Sequence, residues 1–379
     1  MKILIINHEY PPVGGGGGVF CRDLAQQWAK LGHKVDVITS NARGLKNKER
    51  IGGVNIYRIF AGWRSDFQKA RFLNLFLFMV NGSFFSSWLF LKKRYDLVNT
   101  HFAVPSGPIG WIIQTIFRSP NILTLHGADI YDPSRLMSGH RFFLIRWAVA
   151  MLINKSTCTI ASTREIKNRA NQYFKIRKNI KIIPLGFNPS SAPVNSLNPP
   201  KNYESGGPLK LITTSRLVKR KNLPLLLQAI AQLKKQVSLT IIGAGPEEKN
   251  LKQKIKTLGL KNQIKFLGSV NENLKYRELA AAHLYISTAT HEGFGLTFLE
   301  AMHCGLPVIA SDSGGQTYFL KDKFNGRFFK SQDLSDLVSK INFFLKNPAV
   351  IPEYGQNNQK ESRNFHIEKI AKKYLSLKI

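Results

Sequence analysis

Acidic side chains are scarce in this 379-residue chain: 23 Asp and Glu stand against 55 Lys and Arg, a formal net charge of +32. Hydrophobic residues at 43% and charged residues at 21% are near the globular norm, so a disordered polycation is excluded. No basic tail explains the excess. Residues 1–188 hold 27 basic and 9 acidic side chains, and residues 209–379 hold 27 and 13. Cysteine is also rare. Cys21, Cys158 and Cys304 cannot make a disulfide framework in a chain this long, which favours a reducing compartment. There is no Cys-x-x-Cys, no Asp-x-Asp and no histidine cluster, so the usual metal-site patterns are missing. The apolar run at the N-terminus, Ile3–Ile6, is too short for a signal-peptide core and reads as a first buried strand.

One long charge-free run does occur. Phe72–Leu91 lies between Arg71 and Lys92-Lys93-Arg94 and is about as long as a bilayer is thick. Asn74, Asn81, Gly82, Ser83, Ser86 and Ser87 interrupt it, and Asn81-Gly82 looks like a break between two shorter helices. A buried helix or helix pair, an element dipping into a membrane surface, and a true span are the three readings.

Elsewhere strand-like and helix-like segments alternate. Lys2–Ile6, Lys34–Thr39, Asp96–Asn99, Asn121–Leu125, Cys158–Ala161 and Lys181–Ile183 read as strands, and Val19–Leu31 as a helix closed by Gly32. A Pro-, Ser- and Asn-rich stretch at residues 189–208 reads as a linker, after which the alternation restarts at Lys210–Thr214. Two doubly wound parallel-sheet domains are therefore expected, at 1–188 and 209–355, with residues 356–379 as a separate closing segment.

Five segments could carry chemistry. Pro11-Pro12-Val13 and then Gly14–Gly18 separate a strand from a helix, which suits close backbone approach to an anion; a tight structural turn is the plainer alternative. It is neither a P-loop nor the dinucleotide fingerprint, whose last glycine is replaced by Val19. His126-Gly127 follows the strand ILTL, and His101 follows another strand; each is either a ligand contact or a satisfied structural histidine. Arg216, Lys219, Arg220 and Lys221 follow the strand LITTS, either as a diphosphate clamp or as a solvated basic turn. Gly243-Ala244-Gly245 is half a dinucleotide fingerprint and fits a plain strand-to-helix turn. Last, Glu292 and Glu300 bracket a glycine-containing loop and a helix start near Gly295. On one continuous helix they would stand about 12 Å apart, too far for a glycosidase carboxylate pair.

Together these segments resemble the retaining glycosyltransferases of family 4, the group 1 glycosyltransferases. The resemblance rests on PPVGGGGG, GHKVDVIT, LTLHGADI, SRLVKRKNLPLLLQAI, IIGAGP and, most specifically, HEGFGLTFLEAMHCGLPVIASDSGG. It implies an α/β GT-B fold: two facing Rossmann-like domains, with a C-terminal helix crossing back to the N-terminal one. It implies a metal-independent hexosyltransferase that uses a nucleotide-diphosphate sugar, needs no cofactor and retains anomeric configuration. It assigns catalysis to His126, Glu292, Arg216 and Lys221. Donor binding falls to Gly15, Gly16, Gly17, Arg216, Lys221, Gly293, Phe294, Gly295, Leu296 and Glu300. Gly14, His101 and Asp129 are placed on the acceptor side. Tyr318 departs from the family pattern, which often has glutamate there.

The charge further implies a glycan or lipid-linked acceptor at an anionic membrane surface, with the protein cytoplasmic and peripheral at the inner face of the plasma membrane. A role in cell-surface polysaccharide or lipopolysaccharide synthesis follows from the resemblance. The competing readings are another GT-B enzyme, epimerase-like or phosphorylase-like, and a basic nucleic-acid- or membrane-binding protein without catalysis. No specific nucleic-acid partner is expected, since no zinc, RNA-recognition or helix-turn-helix signature is present.

Overall fold

Ile3–Ile6 are completely buried, as a parallel strand covered on both faces must be. They lie in β1 (Lys2–Ile6), near the centre of an eight-stranded sheet in the computed structural model. The structure describes residues 1–64, 66–67, 70–132, 140–189, 203 and 207–378. The chain divides into unit 1, Met1–Gly186 with Ile367–Ile379, and unit 2, Phe187–His366.

Unit 1 continues from β1 with α1 (Gly16–Lys30), β2 (Lys34–Ser40), β3 (Lys48–Ile51), β4 (Val54–Ile59) and α2 (Phe72–Lys92). Then come β5 (Leu97–His101), α3 (Ser106–Phe117), β6 (Asn121–Leu125), α4 (Phe143–Lys155), β7 (Cys158–Ala161), α5 (Arg164–Tyr173) and β8 (Ile180–Ile182). The strand order is β3-β4-β2-β1-β5-β6-β7-β8, parallel except for β3, which runs antiparallel to β4. Sequence periodicity does not reveal β3. Its sequence KERI is mostly exposed and charged, which is how edge strands avoid pairing with other chains. Strand order reverses between β1 and β5, so the loops leaving their carboxyl ends lie side by side, where doubly wound sheets bind ligands.

The expected break at Asn81-Gly82 does not occur; α2 is one 21-residue helix. A Cβ at Gly82 would lie 2.6 Å from Ile109 Cδ1, so the glycine permits close packing on α3. The asparagines that looked like interruptions tether the helix instead: Asn74 donates to the Ala61 carbonyl at 2.8 Å and Asn81 to that of Phe60 at 2.9 Å. The helix is long and apolar enough to cross a membrane. One face, with Phe78, Gly82, Ser86, Leu89 and Phe90, is buried in unit 1. Phe72, Leu73, Phe76, Phe84, Trp88 and Leu91 are exposed.

Unit 2 contains β9 (Leu209–Thr214), α6 (Leu223–Leu233), β10 (Val237–Ile242), α7 (Glu248–Thr257), β11 (Ile264–Gly268) and α8 (Glu272–Ala281). It continues with β12 (Leu284–Ser287), α9 (Leu296–His303), β13 (Val308–Ser311), β14 (Gly326–Phe329), α10 (Leu334–Lys346) and α11 (Val350–Ser362). Its sheet is parallel in the order β11-β10-β9-β12-β13-β14, reversing between β9 and β12. Most of the expected linker lies outside the described residues. The boundary expected at 356 is corrected, since α11 and the residues to His366 belong to unit 2. Asn358 shows why: its buried amide donates to the carbonyls of Leu306 and Asn325, both at 2.7 Å.

Only α12 (Ile367–Leu375) joins unit 1. It buries Ile367, Ile370, Ala371 and Tyr374, and Trp28 of α1 donates its indole N–H to the Ala371 carbonyl at 3.2 Å.

Candidate active site

In unit 2 the segment after β9 rests on the one after β10. Ser215 N–H donates to the Ile242 carbonyl at 3.0 Å and Leu217 N–H to that of Ala244 at 2.9 Å. This approach requires glycine. A Cβ at Gly243, where φ is +141°, would lie 1.8 Å from the Ser215 oxygen, and one at Gly245 2.4 Å from that of Leu217. Gly243-Ala244-Gly245 is thus a strand-to-helix turn that also seats Arg216.

Lys219–Lys221 then make a 3₁₀ turn that ends at Asn222 in the left-handed conformation (φ +45°). The loop after β12 fastens to it. The Thr288 hydroxyl lies 3.0 Å from the carbonyls of Lys221 and Asn222, Thr290 N–H donates to the Arg220 carbonyl at 2.9 Å, and Arg220 donates to that of His291 at 3.2 Å. Lys221 thereby reaches Glu292 and donates to its Oε2. Both side chains are nearly buried, at 11% and 12% exposure. Burial pushes the Glu292 carboxyl up, but the Lys221 and Arg220 cations outweigh this and hold it at about 2. Burial pulls the Lys221 amine below the usual lysine value against Glu292's attraction, and the neighbouring Arg220 and Arg216 cations pull the same way.

Gly295, at φ +90°, opens α9. The glycine pair 314–315 buttresses the loop before it: Gly315 N–H donates to the Glu292 carbonyl at 2.7 Å, and a Cβ there would sit 2.0 Å from the Gly293 oxygen. The helix start, four residues after Glu292 in sequence, carries partial positive charge. Tyr285, whose hydroxyl lies 3.1 Å from the Thr214 carbonyl and 2.9 Å from Thr297 Oγ1, ties the end of β9 to the first turn of α9. Glu300 is buried and accepts from Lys275 at 2.8 Å, while Lys275 also donates to Glu272 at 2.9 Å. Burial lowers the Lys275 amine, but the two carboxylates more than restore it.

In unit 1 the glycine loop folds around Glu9. Its Oε2 accepts from Gly15 N–H at 3.0 Å, and a Cβ at Gly14 (φ +99°) would lie 2.5 Å from the Glu9 side chain. Gly17 passes directly over a pair of rings: a Cβ on it would lie 2.6 Å from Phe102 Cζ and 3.5 Å from His126 Nδ1. Phe102, itself left-handed at φ +70°, stacks on His126 with centroids 4.3 Å apart. His126 is bonded at 2.9 Å to His101, and His101 at 2.8 Å to Asn99. Burial lowers both rings' pKa, His126 to about 4, so both are neutral at physiological pH.

Two family models together match most of the chain. Residues 14–191 match the family described as Glycosyltransferase Family 4, and residues 195–364 match Glycosyl transferases group 1. The chain is a group 1 glycosyltransferase. An uncharacterized glycosyltransferase of Methanocaldococcus jannaschii is 26% identical over 395 residues, spanning 100% of this chain and 97% of that protein. Among solved structures, sucrose-phosphate synthase from Thermosynechococcus elongatus superposes with a TM-score of 0.85 at 23% identity, covering 98% of this chain and 97% of its own. Anabaena HepE, solved in complex with UDP-glucose, gives 0.78 at 22% identity, covering both chains completely (100% each). The fold is thus GT-B, with two parallel-sheet α/β domains.

The group 1 glycosyltransferase gathers Arg216, Lys221, Glu292, Gly293, Phe294, Gly295 and Leu296 along two adjoining loops of unit 2, with Glu300 one to two turns into α9. In unit 1 Gly14 and Gly15 form the loop, whereas Gly16 and Gly17 belong to the first turn of α1, which starts before the expected Val19 and sets Gly17 over His126. Two acceptor-side expectations need correction. His101 has no exposed surface, and both ring nitrogens are bonded within the protein, so it supports His126 and does not reach an acceptor. Asp129 is occupied by backbone: Oδ1 accepts from the N–H groups of His126 (3.1 Å) and Gly127 (2.9 Å), and Oδ2 from Ala103 (2.8 Å). It fixes the His126 loop.

Sequence reasoning passed over Glu9, Asn99, Phe102 and Lys275. Phe102 and Lys275 take their roles from contacts with distant segments, and Asn99 is fixed by Ile122 and Thr124 on the neighbouring strand. Glu9 alone carried a signal, as an acid beside a glycine loop in a chain short of acids.

Proposed function

We propose that the enzyme transfers a hexosyl group from a nucleotide-diphosphate sugar to a glycan or lipid-linked acceptor, with retention of configuration and without a metal. The observation that carries this reading is the adjoining pair of loops at the β9/β12 reversal, where Lys221, with Arg216 and Arg220 near it, is bonded to Glu292 just ahead of the glycine-lined start of α9. Breaking a sugar–phosphate bond builds negative charge on the leaving diphosphate. Preorganised cations and a helix start stabilise that charge without reorganising during the reaction. Glu292, already ionised, orients Lys221 and accepts from sugar hydroxyls. Glu300 exchanges its Lys275 contact for the ribose hydroxyls. In unit 1 His126 accepts from a sugar hydroxyl of a substrate. The complex of HepE with UDP-glucose supports a nucleotide-sugar donor. Retention without an enzyme nucleophile implies attack on the face the leaving phosphate vacates, with that phosphate taking the acceptor proton.

The test is a thermal-unfolding panel of UDP, GDP and ADP, followed by transfer from the matching radiolabelled sugar nucleotide to membrane acceptors. One nucleotide at 100 times its Kd stabilises the fold by about 2.7 kcal/mol. Arg216→Ala removes most of that shift and most of the transfer. Transfer undiminished in this variant sinks the assignment.

We further propose that the enzyme works at the cytoplasmic face of the plasma membrane, in cell-surface polysaccharide or lipopolysaccharide synthesis. The exposed apolar face of α2, continued by Trp63 at 92% exposure and flanked by Arg71 and Lys92–Arg94, supports this. Aromatic and basic side chains together favour an anionic interface. The enzyme is expected to float with vesicles of phosphatidylserine and phosphatidylcholine at low salt, and Trp63→Ser with Trp88→Ser to reduce the bound fraction severalfold. Recovery of the unaltered protein in the unbound fraction refutes the membrane assignment.

A further inference from the structure

His126 has one ring nitrogen facing Gly17 in the first turn of α1, and among the described residues that atom, Nδ1, is buried without a hydrogen-bond partner. The residue is 8% exposed. An orphaned polar atom of this kind inside a protein calls for a partner that arrives with a ligand. Whether the partner must be a donor or an acceptor depends on which nitrogen holds the proton, and the buried groups behind the ring decide that.

Asn99, on β5, has a fixed amide orientation. Its amide nitrogen lies 3.0 Å from the Ile122 carbonyl and 3.1 Å from Thr124 Oγ1. A carbonyl only accepts, so the NH₂ must face it; the flipped amide would set its oxygen against the Ile122 carbonyl. Asn99 Oδ1 then faces His101 Nε2 at 2.8 Å and can only accept, so His101 is protonated on Nε2. A neutral imidazole carries one proton, so His101 Nδ1 is bare and accepts from His126 Nε2 at 2.9 Å. His126 therefore holds its proton on Nε2 and presents a bare Nδ1 under Gly17. Phe102 stacked on the ring keeps it from rotating away.

We propose that Asn99 and His101 are positioning residues whose relay locks His126 in the Nε2-protonated form, so that the loop site of unit 1 accepts a hydrogen bond and selects a ligand hydroxyl over a phosphate or carboxylate oxygen. This rests on the transferase reading for its substrate, a sugar, while the proton arrangement stands independently of it. A bare nitrogen repels an anionic oxygen and rewards an O–H, so the unit 1 site and the cationic unit 2 site recognise opposite chemistries.

The full-length chain labelled with ¹⁵N-histidine tests the proposal through long-range ¹H–¹⁵N correlations, which separate protonated from bare ring nitrogens. His126 signals are assigned by their loss in His126→Gln. The expected result is a protonated Nε2 and a bare Nδ1 on both His101 and His126. His101→Phe removes the acceptor for His126, so the His126 proton moves to Nδ1 and kcat falls roughly 10- to 100-fold with little change in donor KM. His101→Gln, whose carboxamide can donate to Asn99 and accept from His126, keeps the bare Nδ1 and most of the activity. A protonated His126 Nδ1 in the unaltered protein overturns the proposal even if His101→Phe fails to fold. So does a folded His101→Phe variant with a bare Nδ1 and unchanged kcat. The expected spectra in a protein that transfers no sugar would support the relay and refute the transferase reading of the site.

Discussion

Lys221→Met is expected to lower the rate of transfer by about 10²- to 10³-fold, the range found when one preorganised group facing a developing anion is removed. It is also expected to destabilise unit 2 by about 3–5 kcal/mol, because Glu292 is left as a buried carboxylate without its closest cation. Methionine keeps the length and most of the volume of lysine, so the loss reports on charge. The pH dependence follows from the direction of the Glu292 shift. Its carboxyl is held at about 2, below the ordinary 4.5. A depressed carboxyl contributes stability that is complete above the unfolded value and disappears as pH falls through the folded one. In Lys221→Met the stabilising cation is gone and burial pushes the carboxyl up. The deficit against the unaltered protein is therefore largest at pH 7 and narrows as acid neutralises Glu292. Urea unfolding at pH 7 and pH 3 measures this, and an equal deficit at both would show that the pair is not its source. Adding Glu292→Gln to Lys221→Met should recover stability and leave transfer impaired, since a neutral pair no longer buries an isolated charge.

Gly243→Ala is expected to cost about 3 kcal/mol or more, although it adds one methyl group. The methyl would arrive 1.8 Å from the Ser215 carbonyl, at a φ of +141° that side-chain-bearing residues rarely adopt. Backbone cannot give way as a flexible side chain can, so the segment after β9 must shift, and Arg216 with it. A thermal midpoint lowered by roughly 6–12 °C follows for a unit of this size. Weakened nucleoside diphosphate binding should accompany it. Gly259→Ala is the control. Its φ is +69° but no atom lies within 4 Å of the added methyl, so only backbone strain of about 1–2 kcal/mol applies. Equal losses in both variants would show that the Ser215 contact carries no weight.

Most strands read from sequence are buried, but burial was not sufficient: VNIYRI and GRFF also form strands and were not among those expected. NILTL and CTIA appear at the expected bounds because a parallel strand covered on both faces is fully buried and largely apolar. KERI could not be read, since it lies at an edge and follows no apolar pattern. Gly82 and Asn81 misled for a related reason: as isolated residues they suggest a turn, and only the presence of Ile109 and the Phe60 carbonyl shows why a continuous helix keeps them.

By itself, then, the sequence determined two doubly wound α/β units, the family, and the loops that carry its site, because alternation of apolar segments and glycine-bounded strand ends are local properties of the chain. Which side chain serves which atom was decided only by the tertiary structure. Asp129 and His101 looked like acceptor contacts until three backbone N–H groups and two buried neighbours were found to occupy them. Lys275 and Asn99 carried no motif and took their places through contacts across 25 and 23 residues of chain. A hydrogen bond needs two partners at close range, and for these groups the fold alone brings the second one near.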